Sequence, residues 1–375
     1  MKAEYRKLGE IIELIDERNK SLVTSEVLGI SIDKEFMPSV ANTIGTDLSK
    51  YKLIKKNTFA CNPMHVGRDE RLPVALYKGE EPVIVSPAYF MFKVKNKNQV
   101  LPDFLMLLFR REDFDRNCWF RTDGSVRGGI TWEALCEIEL PIPAIEVQQK
   151  IVDAYNAITK RIQIKQKINE KLEKTAQCLF ENVFKHELQK EEISFTDVID
   201  LLGGGTPSTA EKAYWSGNIP FFAPADIEKS IFCFSTEKNL TEEGLNNCSS
   251  KLYPKNTTFV TCRGTVGKLA LVGTPMAMNQ SCYALKDKNG QYPFFTYSFA
   301  KFTVSKLKNK ASGAVFSALV TKDFEMEKVF NPNLEKMKEY ETKSSSIFEN
   351  ISSNEKEIAK LQELKQLVIS RISGV

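Results

Sequence analysis

Apolar and polar positions follow a distinct rhythm in two stretches of this chain. From Ile151 to Val183 and from Tyr340 to Ile372, candidate core positions are spaced alternately four and three residues apart. A period of about 3.5 residues held over several heptads is typical of a coiled-coil seam. The pattern predicts two long helices, and their matched phase and length favour packing of one against the other. The predicted seam consists of Ile151, Tyr155, Ile158, Ile162, Lys165, Asn169, Leu172, Ala176, Leu179 and Val183, and of Tyr340, Ser344, Ile347, Ile351, Asn354, Ile358, Leu361, Lys365, Val368 and Ile372.

The rest of the sequence predicts short strands separated by turns. Residues 83–94 and 257–262 are rich in β-branched and aromatic side chains, which favour strands. Helices are expected after Pro102 and after Tyr292. Clusters of glycine, proline, serine and asparagine predict loops at residues 203–207, 215–218 and 287–290. The globular parts are therefore predicted to be mixed α+β.

The two halves of the chain resemble one another. One constant offset places Gly124 on Gly313 and also superimposes the two heptad stretches. The segment KLIKKNT at residues 52–58 matches KLYPKNT at residues 251–257. An internal repeat of this length indicates a duplicated structural unit. We predict two tandem mixed α/β domains, each followed by a long helix, with boundaries at residues 1–145, 146–187, 188–333 and 334–375.

The composition is that of a folded globular protein. The chain has 375 residues, of which 42% are hydrophobic and 27% are charged. It contains no apolar run of about 18 residues and no signal-like start, so we expect a cytoplasmic protein. The eight cysteines are scattered without a C-x-x-C pair, and there are two histidines. These counts argue against a zinc site and against a disulfide framework.

Charge is distributed unevenly although the net charge is only +4. Between Gly244 and Lys322 the only acidic residue is Asp287, whereas lysine or arginine recurs throughout. Such segregation produces a local field that attracts phosphates. A duplicated protein with two similar domains and a helical spacer also suits a DNA duplex with two half-sites, because protein symmetry is matched by half-site spacing.

Motifs for catalysis are incomplete in this sequence. Residues 264–268 (GTVGK) lack the spacing of a Walker phosphate loop. Residues 62–65 (NPMH) lack the second proline and the aromatic residue of an adenine-methyltransferase motif. The E-x-K sequences at residues 341–343 and 363–365 fall on the predicted helices, where this spacing is common on a solvated face. We therefore expect no catalytic residues and no metal ligands.

Several motifs resemble those of the DNA-specificity subunits of type I restriction-modification systems. Residues 203–208 (GGGTPS) and 214–221 (YWSGNIPF) are similar to the opening of one of the family's target-recognition domains. The turn CRGTVGK at residues 262–268, the sequence NQS at 279–281, and the P-I-P entry to the first long helix are similar to further family motifs. The resemblance covers both halves. The first half has NPMH where the second has the R-G-T turn, which suggests that the two domains bind different sequences.

The resemblance implies a non-catalytic subunit that recognises a bipartite DNA target in a phage-defence system. It implies that the long helices pack as an antiparallel coiled coil and contact two modification subunits, which are methyltransferases. Restriction subunits that translocate DNA would join the complex. S-adenosylmethionine, ATP and magnesium would then be bound by these partner subunits and not by this chain.

Candidate contact residues follow from the chemistry of base recognition. Arginine pairs bidentately with guanine and Asn or Gln with adenine, whereas lysine mostly contacts phosphate. The candidates in the second domain are Arg263, Thr265, Lys268, Asn279, Gln280, Lys310, Ser312 and Phe316. Those in the first domain are Asn62, His65, Arg68, Arg71, Arg121, Ser125 and Arg127. Apolar residues outside the heptad seam need cover, either from partner subunits or from repacking within the helix pair, and these are Ile164, Ile168, Leu364 and Ile369.

Two other classes of function remain open at this point. A standalone bipartite DNA-binding regulator would bind DNA tightly without a methyltransferase partner. An enzyme with a hidden nuclease or methyltransferase centre would cleave or methylate DNA on its own.

Overall fold

The computed structural model describes residues 3–39, 45–64, 66–122, 128–227, 230–310 and 318–374, without the side chains of residues 310, 373 and 374. The chain divides into two compact units. The first unit comprises Met1–Arg161 and Leu361–Val375, and the second comprises Ile162–Lys360. Each unit therefore contains a segment of both predicted long helices.

The first unit combines short strands with short helices. Its strands are β1 Glu4–Lys7, β2 Ile12–Ile15, β3 Val27–Ile30, β4 Phe36–Pro38, β5 Lys52–Ile54, β6 Phe59–Cys61, β7 Val74–Leu76, β8 Val83–Val85, β9 Phe90–Val94 and β10 Glu139–Ile142. Its short helices are α1 Leu8–Ile11, α2 Val66–Asp69, α3 Pro102–Phe109, α4 Glu112–Phe120 and α5 Trp132–Cys136. Pro102 lies in the first turn of α3, and Thr131 caps α5 by accepting the Ala134 N–H at 3.2 Å. The long helix α6, Ile145–Val183, follows β10.

An antiparallel sheet of order β2-β9-β6-β7 forms the centre of the first unit. Phe59 pairs with Phe92 on one neighbouring strand and with Leu76 on the other. The rings of Phe59 and Phe92 stack with centroids 5.1 Å apart, and Phe109 of α3 meets Phe59 edge-on at 5.6 Å. A second sheet has the order β4-β3-β8-β5, and β1 pairs with β10 next to the start of α6.

The second unit repeats this plan. Its strands are β11 Ile193–Ser194, β12 Ile199–Gly203, β13 Trp215–Phe222, β14 Phe232–Cys233, β15 Lys238–Leu240, β16 Thr258–Thr261, β17 Leu269–Val272, β18 Ala277–Met278, β19 Cys282–Asp287 and β20 Lys328–Val329. Its helices are α7 Phe195–Val198, α8 Glu242–Asn246, α9 Pro293–Lys310 and α10 Thr321–Met326, followed by the long helix α11 Leu334–Ser370. Thr241 caps α8 by accepting the Gly244 N–H at 3.1 Å.

The central sheet of the second unit has the order β12-β19-β16-β17-β14. Its first four strands correspond one by one to β2, β9, β6 and β7, which confirms the internal repeat. Behind the sheet lies a cluster of aromatic side chains from α6, α9 and α11, including Phe180, Phe295 and Tyr340. A smaller sheet of order β15-β13-β18 packs beside it.

Most of the expected elements are confirmed, with one correction. The helices after Pro102 and Tyr292 are α3 and α9. Residues 83–94 form strands as predicted, β8 and β9, with a turn at residues 86–89 between them. The loop predicted at residues 215–218 is wrong. These residues open β13, where Trp215 and Ile219 both pair with Leu240 across an irregularity in the register.

Every residue of the predicted heptad seam is buried or partly buried. In the second unit the Tyr340 hydroxyl donates to the Ala176 carbonyl at 3.2 Å, and Lys165 Nζ donates to Asn354 Oδ1 at 2.9 Å. Moving forward along α6 therefore means moving backward along α11, so the helices are antiparallel. In the first unit the Lys365 ammonium lies 4.9 Å from the centre of the Tyr155 ring.

A polar layer interrupts the apolar seam in the second unit. Asn354 accepts from Lys165 and donates to Asn169 Oδ1 at 2.8 Å, and Lys165 forms a 2.8 Å ion pair with Glu357. All three hydrogen-bonded residues occupy predicted seam positions. Polar groups at such positions favour one register of a coiled coil, because a shifted register leaves them unpaired.

In each unit, the helix that covers the central sheet is capped by a side chain of a long helix. This covering helix is α3 in the first unit and α9 in the second, and the two caps differ in chemistry. In the first unit Gln148 of α6 accepts the Leu101 N–H at 2.9 Å, just before α3. In the second, Glu341 of α11 accepts the N–H groups of Phe294 at 3.1 Å and Phe295 at 2.9 Å, at the start of α9. Burial raises the pKa of the Glu341 carboxyl to about 7, against the opposing effect of these N–H donors.

Candidate nucleic-acid interface

The predicted contact residues of the second unit gather at one edge of its central sheet. At this edge β12 ends at Gly203, β16 ends at Thr261 and β19 begins at Cys282. The register pairs Gly203 with Tyr283 and Thr261 with Cys282, so these ends lie side by side. We call the loops that leave this edge, residues 204–208, 262–268 and 279–281, the second recognition edge.

The R-G-T turn of the second recognition edge is held by the backbone and side chain of Thr261. The Thr261 carbonyl accepts the Gly267 N–H at 2.7 Å, and its hydroxyl oxygen accepts the Lys268 N–H at 3.1 Å and donates to the Thr265 carbonyl. Gly267 has a φ of 70°, and a Cβ there would lie 2.9 Å from Val304 Cγ1. The turn therefore has one defined shape, and it exposes Arg263, Thr265 and Lys268.

The glycine-rich loop and residues 279–281 lie against this turn. The Gly205 N–H donates to the Met278 carbonyl at 3.1 Å, and the Thr206 hydroxyl donates to Gln280 Oε1. A Cβ on Gly204 would lie 2.2 Å from the Asn279 carbonyl oxygen, so only glycine allows this approach. Cys262 N–H donates to the Ser281 carbonyl at 2.8 Å. Hydrogen bonds thus connect all three loops into one surface.

The cationic side chains at the second recognition edge differ in whether they have a partner within the protein. With the described residues, the exposed Arg263 side chain forms no hydrogen bond and no ion pair. Lys308 of α9 instead donates to the Gly267 carbonyl at 2.7 Å and supports the turn. Burial lowers the pKa of Lys308, and the charge of nearby Lys268 adds to the effect. Asn279 Oδ1 accepts the Ser281 N–H at 2.9 Å, so this oxygen already has a partner within the protein.

Part of the predicted set falls where the structure gives no description. Ser312 and Phe316 lie outside the described residues. Lys310 is the last residue of α9, and only its backbone is described. His65, Ser125 and Arg127 of the first unit also lie outside the described residues.

The equivalent edge of the first unit is built differently. We call residues 62–71 together with Arg121 the first recognition edge. After β6, Asn62 accepts the Met64 N–H at 3.1 Å and closes a tight turn, and the helix α2 follows in place of the R-G-T turn. The Pro63 carbonyl accepts the Ile130 N–H at 3.1 Å, and Gly67 N–H donates to the Gly128 carbonyl at 3.0 Å.

The arginines of the first recognition edge have partners within the protein. Arg68 forms a bidentate pair with Asp69, through Nε at 2.6 Å and Nη2 at 2.9 Å. The carboxylate raises the pKa of this guanidinium. Arg71 lies 3.9 Å from Asp33, and Arg121 donates to Asn117 Oδ1 at 3.1 Å. Each of these three arginines therefore has a partner within the protein.

The apolar residues predicted to need cover divide into two groups. Ile164 and Ile168 of α6 in the second unit are exposed, as is Leu364 of α11 in the first unit. The prediction is wrong for Ile369, which is 5% exposed and packs in the core of the first unit. The last turn of α11 enters that core, which a heptad count alone does not reveal. Leu367, which the heptad pattern did not single out, is exposed beside Leu364 on the surface of the same helix.

Sequence reasoning also missed two side chains that shape the second recognition edge. Thr206 holds Gln280, and Lys308 holds Gly267. Thr206 belongs to the GGGTPS motif, so that motif could have identified it. Lys308 is one lysine of a basic helix, and nothing in its spacing distinguishes it from Lys306.

Within the described part of the chain, no group of three or more His, Cys, Asp or Glu side chains is placed to hold a metal ion. No helix among the described residues is both long enough and apolar enough to span a bilayer.

Comparison with known proteins identifies relatives over nearly the whole chain. The model of the type I restriction modification DNA specificity domain matches twice, at residues 2–174 and 188–367. The specificity subunit of the type I restriction enzyme HindI from Haemophilus influenzae is 25% identical over 364 residues, which cover 76% of this chain and 79% of the relative. A putative specificity subunit, MjaX from Methanocaldococcus jannaschii, is 22% identical and covers 98% of this chain and 92% of its own.

A solved structure shares the fold. The S subunit of a type I restriction-modification system from M. genitalium superimposes with a TM-score of 0.61 at 12% identity, covering 98% of this chain and 95% of that one. Two specificity domains in tandem, each with a sheet edge that carries exposed polar loops, account for the internal repeat of the sequence. The chain therefore belongs to the family of DNA specificity subunits of type I restriction-modification systems.

Proposed function

We propose that each recognition edge contacts one half of a bipartite DNA site. The observation that carries this proposal is Arg263, an exposed guanidinium on a turn of defined shape that has no partner among the described residues. An unpaired arginine on a rigid support is suited to bidentate pairing with guanine, since little conformational freedom is lost on binding. Lys268 beside it is suited to a phosphate.

The first recognition edge contributes the other half-site through Arg68, Arg71 and Arg121 together with Asn62. These arginines exchange intramolecular partners for phosphate or base contacts on binding. The ion pairs of Arg68 and Arg71 are exposed, so breaking each costs about 0–1 kcal/mol. His65, Ser125 and Arg127 lie outside the described residues and remain candidates for contacts with the same half-site.

The chain does no chemistry of its own in this proposal. Two modification subunits dock on the helix pair, at surfaces that include Ile164, Ile168, Leu364 and Leu367, and they bind S-adenosylmethionine. Restriction subunits supply ATP-driven translocation and magnesium-dependent cleavage. Because the target is cellular and invading DNA, we place the complex in the cytoplasm. A standalone regulator is not favoured, since both matched domains are specificity domains of type I systems.

The deciding experiment compares Arg263→Ala with Lys268→Ala in the complex with its modification subunits. Mapping of methylated adenines defines the wild-type site, and binding is then measured on duplexes altered one base pair at a time. Arg263→Ala should cost about 1–3 kcal/mol and relax the preference at one position of one half-site. Lys268→Ala should weaken all duplexes alike and lower the salt slope by about 0.9. A base preference left unchanged by Arg263→Ala would refute base reading by this residue.

A further inference from the structure

Phe120 is the most exposed large apolar side chain in the described part of the chain, at 82%. It is the last residue of α4, and its neighbour Trp119 is 43% exposed. Leaving a phenylalanine in water forgoes the favourable burial of its ring. A side chain this exposed, beside a second exposed aromatic ring, marks a surface that is covered in a complex.

The position of Phe120 connects it to the first recognition edge. Asp115, also on α4, accepts the Leu72 N–H at 3.0 Å, directly after Arg71. Phe120 lies about 7.5 Å further along the helix axis. The chain that leaves α4 has returned to α2 by Gly128, whose carbonyl accepts the Gly67 N–H at 3.0 Å.

The charges around Phe120 favour a polyanion as the covering molecule. Arg116 lies one turn earlier on the same helix face and is exposed, and Arg121 follows Phe120 directly. The acidic residues of α4, Glu112, Asp113 and Asp115, lie in its first turn. The exposed aromatic rings therefore lie at the basic end of the helix. Aromatic rings between cations are the combination that stacks on or wedges between nucleic acid bases.

The second unit places polar residues at the corresponding positions. The offset that aligns Gly124 with Gly313 aligns Phe120 with Asn309 and Trp119 with Lys308. The end of α9 therefore carries an amide and an ammonium group in place of the two aromatic rings at the end of α4. Aromatic rings can stack on the faces of bases, and neither the amide nor the ammonium group can replace that contact. This difference is not explained by packing, because Phe120 packs into no described core cluster.

We propose that Phe120 makes apolar contact with bases of the first half-site, as a DNA-contacting residue that works beside Arg121. This inference rests on the proposed function, since it assumes that the first recognition edge binds DNA. It assigns to the first unit a contact that depends on the DNA sequence and on how easily its base steps deform, rather than on the charge of the phosphate backbone.

The test uses the complete complex with modification subunits and a duplex carrying its mapped site. Phe120→Ala should weaken binding to this duplex about five- to twentyfold, and Phe120→Leu should lose less. Neither variant should change binding to a non-specific duplex or the salt dependence, because no phosphate contact is removed. Tyr5→Ala is the matched control, since Tyr5 is an aromatic residue 60% exposed on β1, and it should leave affinity unchanged.

A second readout places 2-aminopurine at each position of the first half-site. Binding of the wild-type complex should change its fluorescence at one or two adjacent positions, and Phe120→Ala should abolish that change. Affinity within twofold of wild type for Phe120→Ala, an equal loss on non-specific DNA, or loss of modification subunits from the complex would each overturn the inference. If Arg263→Ala alters recognition while Phe120→Ala does not, the proposed function stands and this inference fails. A wild-type complex that does not discriminate its mapped site would refute both.

Discussion

The two recognition edges belong to sheets with the same order of four strands, but they differ in how they hold their cations. In the second unit, β16 leads into a turn that keeps Arg263 exposed and without a described partner. In the first unit, the equivalent strand β6 leads into α2, where Arg68 is held by its neighbour Asp69. The same four-stranded order thus supports two different loop chemistries.

The comparison shows how a duplicated subunit can read an asymmetric site. Sheet order and register are fixed by buried residues such as Phe59 and Phe259, which both lie on the central strands. Apart from a few anchoring residues such as Val66 and Cys262, the loops beyond the sheet edge lie outside the core and can change independently. Divergence is therefore expected at the edge and not in the sheet, and this is where the two units differ.

The largest effect should come from Gly267→Ala, compared with Gly67→Ala, since Gly67 follows Val66 after β6 as Gly267 follows Val266 after β16. At Gly267 the positive φ and the contact with Val304 oppose any Cβ, so Gly267→Ala should distort the R-G-T turn at a cost of about 1–3 kcal/mol. Gly67 lies in α2, where alanine is the better helix former. Binding to duplexes mutated in one half-site at a time separates the two effects. Equal losses from the two variants would contradict the difference between the edges.

The sequence predicted the scaffold well because buried patterns are periodic. The repeat, the heptad seam and the helices after Pro102 and Tyr292 all follow from positions that face a core. The seam prediction even included the polar residues Lys165 and Asn354. Their mutual hydrogen bond could not be predicted, because it depends on which residue of the partner helix lies opposite.

The sequence predicted the edges less completely because their chemistry depends on contacts. Arg263 and Arg68 look equivalent as residue types, yet one is exposed without a described partner and the other is paired. Ile369 and Leu364 are both apolar residues outside the predicted heptad seam. Ile369 is nevertheless buried, because the final turn of α11 enters the core of the first unit. The segment at Trp215, predicted as a loop, is a strand in the structure because Leu240 supplies a pairing partner. Each of these outcomes depends on three-dimensional neighbours that spacing does not encode.

A smaller effect should follow from freeing the guanidinium of the first edge. Asp69→Asn removes the bidentate partner of Arg68 and also one negative charge near the proposed phosphates. Exposed pairs are worth about 0–1 kcal/mol, so DNA affinity should rise about two- to fivefold, with a steeper salt dependence. Glu70→Gln is the matched control, because Glu70 is exposed next to Asp69 and no pair of it with Arg68 is described. A tighter complex from both variants would mean that net charge alone matters and that the Arg68 pair is irrelevant.

The smallest effect concerns the caps that dock the covering helices, neutral Gln148 in the first unit and the carboxyl of Glu341 in the second. An unfolded glutamate titrates near 4.5, whereas the folded pKa of Glu341 is raised to about 7 by burial. Between these values the folded state holds a proton that the unfolded state has lost, so this contribution to stability is present at low pH and is lost as the pH rises from about 4.5 to 7. Glu355, which accepts the N–H groups of Ile231 and Phe232, behaves in the same way.

Substitution of both buried carboxyls by amides should flatten that dependence. Glutamine does not titrate, and its one oxygen can accept both N–H groups at Glu341 and one of the two at Glu355. The Glu341→Gln, Glu355→Gln variant should therefore gain stability relative to wild type at pH 7.5 and not at pH 4.5. Thermal unfolding of the two proteins at several pH values measures this difference. Glu349→Gln, an exposed change on the same helix, is the control and should track the wild type. A Gln148→Glu variant should transfer the same pH dependence to the first unit, because its Leu101 cap would then titrate as well. If the doubly substituted protein keeps the wild-type pH profile, these carboxyls do not hold the proton, and the caps within the two units are equivalent in chemistry.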